Sequence, residues 1–288
     1  MGDVIVGSES VRAGTITRAA LRWNYRPIFP DVYLPKSLEP TLRRRTEGAW
    51  LWSRRRGVIT GRAAAALHGA RWVHDDVPID ILWTNNRPPP GITTRREPID
   101  PSEITWIDDM PAARPARVGL DLGRYLPRVQ AVANLDALAR ATGIDGNEVL
   151  ALAEDYKGSR GVRRCRQAVD LMDAGAQSPQ ESWLRVLLID RGFPRPRTQI
   201  PVVDSGYTFA YLDMGWPELL IAVEYDGEHH RTSDDQYRRD AARLRRLEAL
   251  NWVVIRVMKG DRPEEIALWV RRAFALRERE ATAVKHPA

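Results

Sequence analysis

Residues 207–226 read YTFAYLDMGWPELLIAVEYD, two apolar segments with the composition of β-strands joined at Pro217-Glu218. Aromatic and β-branched residues are enriched in both segments, as they are in strands. Proline suits an early position of a type I turn, so the stretch predicts an antiparallel hairpin of strands 207–213 and 219–226. This hairpin is the centre of the predicted C-terminal fold.

Helical and extended patterns alternate around the hairpin. Ser178-Pro179 begins a helix with Glu181 at its third position, and the helical spacing continues to Gly192. Further strands are predicted at 198–203 and 252–257, a basic helix at about 234–250 and a closing helix at 263–280. The order αβββαβα predicts an α/β fold in which helices cover both sides of one sheet.

Three acidic residues converge on this predicted hairpin. A turn at Pro217-Glu218 places Asp213 opposite Ala222, which makes Asp213 and Glu224 diagonal neighbours on one face, about 7 Å apart. Asp226 projects to the same face, because side chains repeat every two residues in a strand.

Carboxylates this close repel one another, and each is costly to bury without a partner. A hard divalent cation with oxygen ligands, Mg²⁺ or Mn²⁺, would relieve the repulsion. The alternative is that these are acids at the end of a sheet, paired with some of the many arginines. Both interpretations stay open at this point.

Two further residues near the cluster have two interpretations each. Glu181, three residues after Ser178, is placed for a capping box, and it is also a helix carboxylate that could complete a cation site. His230 follows the turn at Asp226-Gly227, where a histidine is either structural or a proton-transfer group. On the basic helix, Arg239 and Arg243 share one face.

The region before residue 178 divides at residue 40. Residues 1–40 combine a short helix around 17–23 with an extended ribbon at 27–35, a pattern typical of a partial winged helix or of a plain helix-to-strand connection. Residues 41–177 carry an alanine-rich helix ending at Gly69, strands at 78–83, 92–97 and 104–107, and helices over 114–174. The chain is thus predicted to have parts 1–40, 41–177 and 178–288.

Composition excludes several classes of protein. The 288 residues are 43% hydrophobic and 28% charged, with no apolar run near the length of a membrane span and no pattern of a secretory signal. Cys165 is the only cysteine, so an internal disulfide framework or a multi-thiolate zinc site is excluded. We expect a cytoplasmic protein without membrane contact.

The charge balance favours phosphate binding in the N-terminal part. Lysine and arginine number 44 against 38 acids, a net charge of +6. Residues 1–177 hold 26 basic and 21 acidic side chains, and residues 178–288 hold 18 and 17, so most of the excess lies before residue 178. Arginine suits bidentate phosphate contacts, although a GC-rich genome also favours its codons.

Four segments of the C-terminal third carry a family resemblance: 178–185 (SPQESWLR), 211–213 (YLD), 223–230 (VEYDGEHH) and 251–257 (NWVVIRV). They resemble the branch of the PD-(D/E)XK nuclease superfamily related to very-short-patch-repair endonucleases. The resemblance implies a restriction-endonuclease-like αβββαβ fold and a Mg²⁺-dependent DNA phosphodiesterase.

The resemblance also implies roles for individual residues. Asp213 and Glu224 would be metal ligands, Glu181 a helix-borne acid of the site, and Asp226 and His230 local catalytic helpers. The lysine position of the superfamily motif holds Asp226, which leaves the group that activates water unassigned. Gln199, Arg239 and Arg243 are the predicted DNA contacts of this part.

Four N-terminal segments carry a second resemblance: 17–21 (TRAAL), 29–34 (FPDVYL), 60–69 (TGRAAAALHG) and 114–122 (RPARVGLDL). Residues 15–123 are similar to the N-terminal part of AbiEi-type antitoxins, which bind promoter DNA through a winged helix. The resemblance implies a smaller α+β, winged-helix-like part, with Arg18 and Arg22 of the first helix as DNA contacts.

The sequence therefore predicts a DNA-binding protein with a Mg²⁺-dependent endonuclease-like domain. One alternative is a DNA-binding regulator or antitoxin of AbiEi type whose nuclease-like fold is inactive. Another is an interaction module that holds a partner toxin or a second copy of the chain, with some of the ten tryptophans at the interface.

Overall fold

The computed structural model describes residues 3–85, 87–227 and 234–285, with no statement on the side chains of 234–237 and 283–285. The chain divides into two compact units, one ending at Ala174 and the other beginning at Gly175. The second unit starts three residues before Ser178, where the sequence indicates a boundary. In the described part of the chain, no helix has the length and apolar character that crossing a bilayer requires.

The N-terminal unit opens with a small sheet and two short helices. Strands β1 (Ile5–Val6), β2 (Tyr25–Phe29) and β3 (Val32–Pro35) lie in the order β1-β3-β2, and all pairs are antiparallel. Helices α1 (Gly7–Arg12) and α2 (Arg18–Asn24) precede β2. The helix and ribbon predicted around 17–35 are confirmed. The sequence did not predict β1 and α1. Strand β1 has only two residues and helix α1 only six, too few to show a periodic pattern.

A five-stranded sheet follows, in the order β6-β5-β4-β8-β7. Its strands are β4 (Val58–Thr60), β5 (Ile79–Leu82), β6 (Ile92–Arg95), β7 (Ile104–Ile107) and β8 (Met110–Ala113). Helix α3 (Leu42–Trp52) precedes the sheet, and the alanine-rich helix α4 (Gly61–Leu67) lies between β4 and β5.

Four helices complete this unit and bury several charged side chains. They are α5 (Pro115–Tyr125), α6 (Arg128–Thr142), α7 (Gly146–Asp155) and α8 (Val162–Asp170). Arg117, Asp121 and Arg124 of α5 are almost fully inaccessible to solvent. They form a set of ion pairs with each other and with Glu97 and Glu103, which we call the α5 charge network.

The C-terminal unit has the predicted order αβββαβα. Its elements are α9 (Pro179–Asp190), β9 (Arg197–Asp204), β10 (Tyr207–Trp216), β11 (Ile221–Asp226), α10 (Asp234–Ala249), β12 (Val253–Met258) and α11 (Pro263–Lys285). The sheet order is β12-β11-β10-β9, with β11 and β12 parallel and the other pairs antiparallel. The prediction of a mixed α/β fold is therefore confirmed.

Two apolar clusters hold this sheet to its helices. In one, Leu184 and Leu188 of α9 and Ile266 and Val270 of α11 pack with sheet residues such as Val257. In the other, Leu247 of α10 packs with residues that include Leu212 and Ala222. Helices supply the partners of both clusters because each side of a buried sheet must be covered by apolar surface.

The register of the central hairpin differs from the predicted one by two residues. Gly215 pairs with Ala222, and Trp216 with Ile221, so Asp213 does not lie opposite Ala222. The predicted tight turn is wrong, because residues 217–220 form a longer connection: a 3₁₀ helix spans Pro217–Leu219, and Leu220, with a φ of +51°, follows it. A shift of two residues leaves each side chain on its original face, so the predicted proximity of Asp213 and Glu224 does not depend on it.

Candidate active site

The buried acids of the C-terminal unit come from three elements that meet at the end of the sheet. Glu181 lies in the first turn of α9, Asp213 on β10 and Glu224 on β11. Glu181 and Glu224 are only 7% and 8% exposed. Burying carboxylates together is unfavourable unless they are hydrogen-bonded or neutralised, so the partners of each one decide what the group can do.

Asp213 is the least neutralised of these acids. The paired ladder between β10 and β11 ends at Met214 and Val223, and the Asp213 Oδ2 atom accepts a hydrogen bond from the Tyr225 backbone N–H at 2.9 Å. Within the described residues, Asp213 has no ion-pair partner. Burial raises the pKa of Asp213 to about 7, and the negative charges of Glu181 and Glu224 add to the rise, while the Tyr225 bond and the charge of Arg243 lower it.

Glu224 is paired with an arginine of the basic helix. Arg243 Nη1 donates to Glu224 Oε2 at 3.1 Å, and Arg243 Nη2 donates to Glu224 Oε1 and to the Tyr211 carbonyl. The bond to Glu224 raises the pKa of Arg243. The sequence predicted Arg243 as a DNA contact and left a carboxylate–arginine pair as the alternative for the acids; the structure contains this pair.

Glu181 occupies the predicted capping position at the start of α9. Its backbone N–H donates to Ser178 Oγ at 3.1 Å, and its carboxylate accepts from Ser178 Oγ at 2.9 Å and from the Gln177 N–H at 2.8 Å. These bonds fix the first turn of α9, as a capping residue does. The same carboxylate is near enough to Asp213 to raise the pKa of Asp213.

Asp226 pairs with Arg256, which projects from the neighbouring strand β12. In the parallel pair of β11 and β12, Arg256 is in register with Glu224, two residues before Met258, which is in register with Asp226. Arg256 lies within the segment 251–257 that carries the nuclease resemblance, but the sequence assigned no role to it. Only the register of the parallel pair reveals its position.

The remaining predicted site residues are spread over the surface or lie outside the described part. Gln199 on β9 has a φ of +49°, and its side chain accepts a hydrogen bond from Gln177 Nε2. Arg239 is exposed on α10, on the same helix as Arg243. His230 lies outside the described residues.

Arg18 and Arg22 lie in the N-terminal unit, one turn apart on α2. Both are exposed, α2 buries none of its residues, and the neighbouring Trp23 is 73% exposed. Neither arginine has an acidic partner among the described residues. An exposed helix with two uncompensated arginines is suited to phosphate contacts.

Among the described residues, the candidate metal ligands at this site are carboxylate oxygens. No group of three or more His, Cys, Asp or Glu side chains within the ranges 3–85, 87–227 and 234–285 is arranged to hold a metal ion. Mg²⁺ is, however, commonly held by one or two carboxylates, with water and substrate phosphate as its other ligands. Asp213 and Glu224 therefore fit a magnesium ion by donor type and number, with Arg243 as a competing cation at Glu224.

The chain is similar to two proteins from strains of Mycobacterium tuberculosis, named Uncharacterized protein MT2308 and Uncharacterized protein Rv2248. Each is 27% identical over 198 residues, which is 69% of this chain and 73% of the mycobacterial protein. No protein-family model matches the chain. No solved structure matches it either.

Proposed function

We propose that the C-terminal unit is a restriction-endonuclease-like, Mg²⁺-dependent DNA endonuclease, and that the N-terminal unit binds DNA through its winged-helix-like segment. The observation that carries the proposal is Asp213, a desolvated carboxylate with a pKa of about 7 beside two other buried acids. Excess negative charge in a protein interior is costly, so its presence points to a cationic ligand.

Asp213 and Glu224 would hold Mg²⁺, or Mn²⁺ in its place. Such an ion, when bound, supplies charge stabilisation for the phosphate and makes water a better nucleophile. The resemblance to very-short-patch-repair-related nucleases, carried by residues 178–260, supports this assignment. The proposed setting is the cytoplasm, where the buried thiol of Cys165 would stay reduced.

The side chains around the ion site would orient and neutralise the reacting groups. Glu181 is fixed by its capping bonds at the start of α9. Arg243 holds Glu224 in place, and its Nη2 atom also donates to the Tyr211 carbonyl. The same guanidinium would donate to a phosphate oxygen when DNA binds. Asp226, oriented by Arg256, and His230 are the proposed helpers in proton transfer.

The test is metal-dependent cleavage. Purified protein is incubated with supercoiled plasmid and with single-stranded circular DNA in Mg²⁺, Mn²⁺ or EDTA, beside Asp213→Ala and Glu224→Ala. We expect nicking by the wild type only, with DNA affinity retained in both variants. Glu218→Ala is the matched control, because Glu218 is an exposed acid on the β10–β11 connection, and it should cut like the wild type. Cleavage by both site variants would contradict the assignment.

A specific observation favours a second candidate, a catalytically inactive DNA-binding regulator of AbiEi type. Two of the acids are already neutralised, Glu224 by Arg243 and Asp226 by Arg256, and Asp226 occupies the lysine position of the nuclease motif. A regulator of this kind would bind DNA through Arg18 and Arg22 with a steep salt dependence, and it would not cleave DNA in the presence of any metal ion. It could also hold a toxin or a second copy of itself.

A further inference from the structure

An open cleft lies at the edge of the C-terminal sheet where the parallel strands β11 and β12 end. Its volume is about 410 Å³, within the range of about 300–1,000 Å³ that small-molecule pockets have. The lining residues come from the first turns of α9, from the end of β11 and from the loop after β12: Pro179, Gln180, Trp183, Tyr225, Met258, Gly260 and Asp261.

The walls of the cleft are apolar and aromatic. The Trp183 and Tyr225 rings meet edge to face, with centroids 6.4 Å apart. Met258 is 53% exposed, although its neighbours on the strand pack into the core. Aromatic faces and a polarisable thioether make good contacts with a flat ring. Because the Met258 thioether is exposed beside the Trp183 and Tyr225 rings, this contact surface is accessible to a ligand.

Polar groups lie at the rim. Gln180 is exposed and carries both amide donors and an amide acceptor, the groups that a hydrogen-bonding ring edge requires. Asp261 Oδ2 accepts from the Met258 N–H at 2.7 Å, and the Asp261 N–H donates back to the Met258 carbonyl at 3.1 Å. This pair of bonds holds the loop, and with it Met258, in place before any ligand arrives.

The cleft and the buried acids share the end of strand β11. Gln180 precedes Glu181, and Tyr225 stands between Glu224 and Asp226. The Tyr225 backbone N–H donates to Asp213. Because neighbouring strand residues point to opposite faces, the Tyr225 ring and the Glu224 carboxylate lie on opposite sides of the same strand end.

Two basic residues lie in and directly after the loop beside the cleft. Lys259 lies within the loop and Arg262 directly follows it. Arg262 is highly exposed and pairs with Glu265, a surface pair of the kind that contributes little to stability, and the acids Asp261 and Glu264 lie next to it in the sequence. The cleft thus offers an apolar slot for a ring, with side chains of both charge signs at its rim.

We propose that this cleft binds an unstacked nucleobase of a DNA strand whose phosphate backbone passes over the end of the sheet to the acids. The inference rests on the proposed nuclease function and assigns its substrate class: DNA with a base outside a duplex stack, as in single strands. Trp183, Tyr225 and Met258 contact the base faces, and Gln180 contacts the base edge. Stacking of this kind tolerates any sequence, because every base has a π face.

The test uses binding without cleavage. A single-stranded oligothymidylate with one 2-aminopurine is titrated with protein in EDTA, and the affinity and the probe fluorescence are measured. Met258→Ala changes an exposed side chain and should leave the fold intact. Leu276→Ala is the matched control, because Leu276 is an exposed apolar residue of α11 in the same unit. We expect Met258→Ala to weaken binding by roughly 5- to 20-fold, from about 1–2 kcal/mol of lost contact, and Leu276→Ala to leave it unchanged.

A second variant and a second probe make the outcomes distinguishable. Gln180→Ala should lower the affinity less than Met258→Ala, and an unbroken duplex of the same length should bind both variants like the wild type. The inference would be overturned if the wild type and Met258→Ala bound the single strand with equal affinity. It would also be overturned if Met258→Ala weakened binding of a tryptophan-containing peptide more than binding of the oligonucleotide. Loss of binding in Met258→Ala without any metal-dependent cutting by the wild type would instead refute the nuclease and leave a base-binding cleft.

Discussion

The α5 charge network and the acids around Asp213 bury ionisable groups in opposite ways. In the N-terminal unit, Asp121 Oδ2 accepts from Thr60 Oγ1 at 2.6 Å and from Arg117 Nε at 3.1 Å. Burial raises the pKa of Asp121, but Arg117, the Thr60 hydrogen bond and Arg124 all act against that rise. Two arginines pair with three acids, and every acid has at least one arginine partner, so we call this network closed.

The C-terminal acids are not closed in this way. Asp213 has one backbone donor and two acidic neighbours, and burial with their charges raises its pKa to about 7. The difference teaches how to tell a structural ionic cluster from a binding site. In the first group every acid has an arginine partner inside the fold, whereas a buried acid with acidic neighbours and no described ion-pair partner points to a cationic ligand.

The largest expected effect tests the closed network. Arg117→Met removes a fully buried cation and leaves Asp121, Glu97 and Glu103 without that partner. We expect the free energy of unfolding to fall by about 3–5 kcal/mol, the usual result of breaking one side of a buried pair. Urea unfolding of the wild type and the variant measures this. A loss below about 1 kcal/mol would mean that the network is not structural.

The pH dependence of stability tests the open cluster. An unfolded aspartate titrates near pH 3.9, and Asp213 in the folded protein titrates near pH 7. Between these values the folded protein keeps a proton that the unfolded chain has lost, so this contribution is full below pH 4 and is lost as the pH rises through 7. Asp213→Asn removes it.

We therefore expect the stability of Asp213→Asn relative to the wild type to rise by about 2–4 kcal/mol between pH 4 and pH 8. Urea unfolding at several pH values gives the difference. Glu218→Ala, an exposed acid, should show no such trend. If the stability difference between Asp213→Asn and the wild type did not change with pH, the surroundings of Asp213 would not disfavour its charge.

Added Mg²⁺ should stabilise the protein through the acids around Asp213 and not through the α5 charge network. At ten times its Kd, Mg²⁺ bound to the folded state alone stabilises a protein by about 1.4 kcal/mol. Thermal unfolding should show this increase for the wild type and for Arg18→Gln, and no increase for Asp213→Asn. An equal increase in all three proteins would locate the ion elsewhere.

The smallest expected effect concerns a surface ion pair. Arg262 and Glu265 form an exposed i,i+3 pair, and Arg262→Gln should change the free energy of unfolding by less than about 0.5 kcal/mol. A larger loss, measured by urea unfolding against the wild type, would show that exposed pairs also contribute and would weaken the contrast with the buried network.

Local patterns in the sequence predicted most elements of the fold. The helix of Glu181, the hairpin strands and the basic helix have periodic or capped sequences, and each lies where it was predicted. The hairpin register was wrong by two residues, because the length of a connection depends on how Leu219 and Leu220 pack and not on the proline alone. β1 and α1 were missed, because they are too short to carry a pattern.

The residue types at the site follow from the sequence: four acids, three on two strands and one on a helix, with arginines on α10 and β12. Only the tertiary structure decided which arginine pairs with which acid. Arg243 reaches Glu224 and Arg256 reaches Asp226, while Asp213 receives a single backbone N–H. These choices depend on packing between elements distant in the sequence, and the charge state of a buried group depends on its neighbours in space.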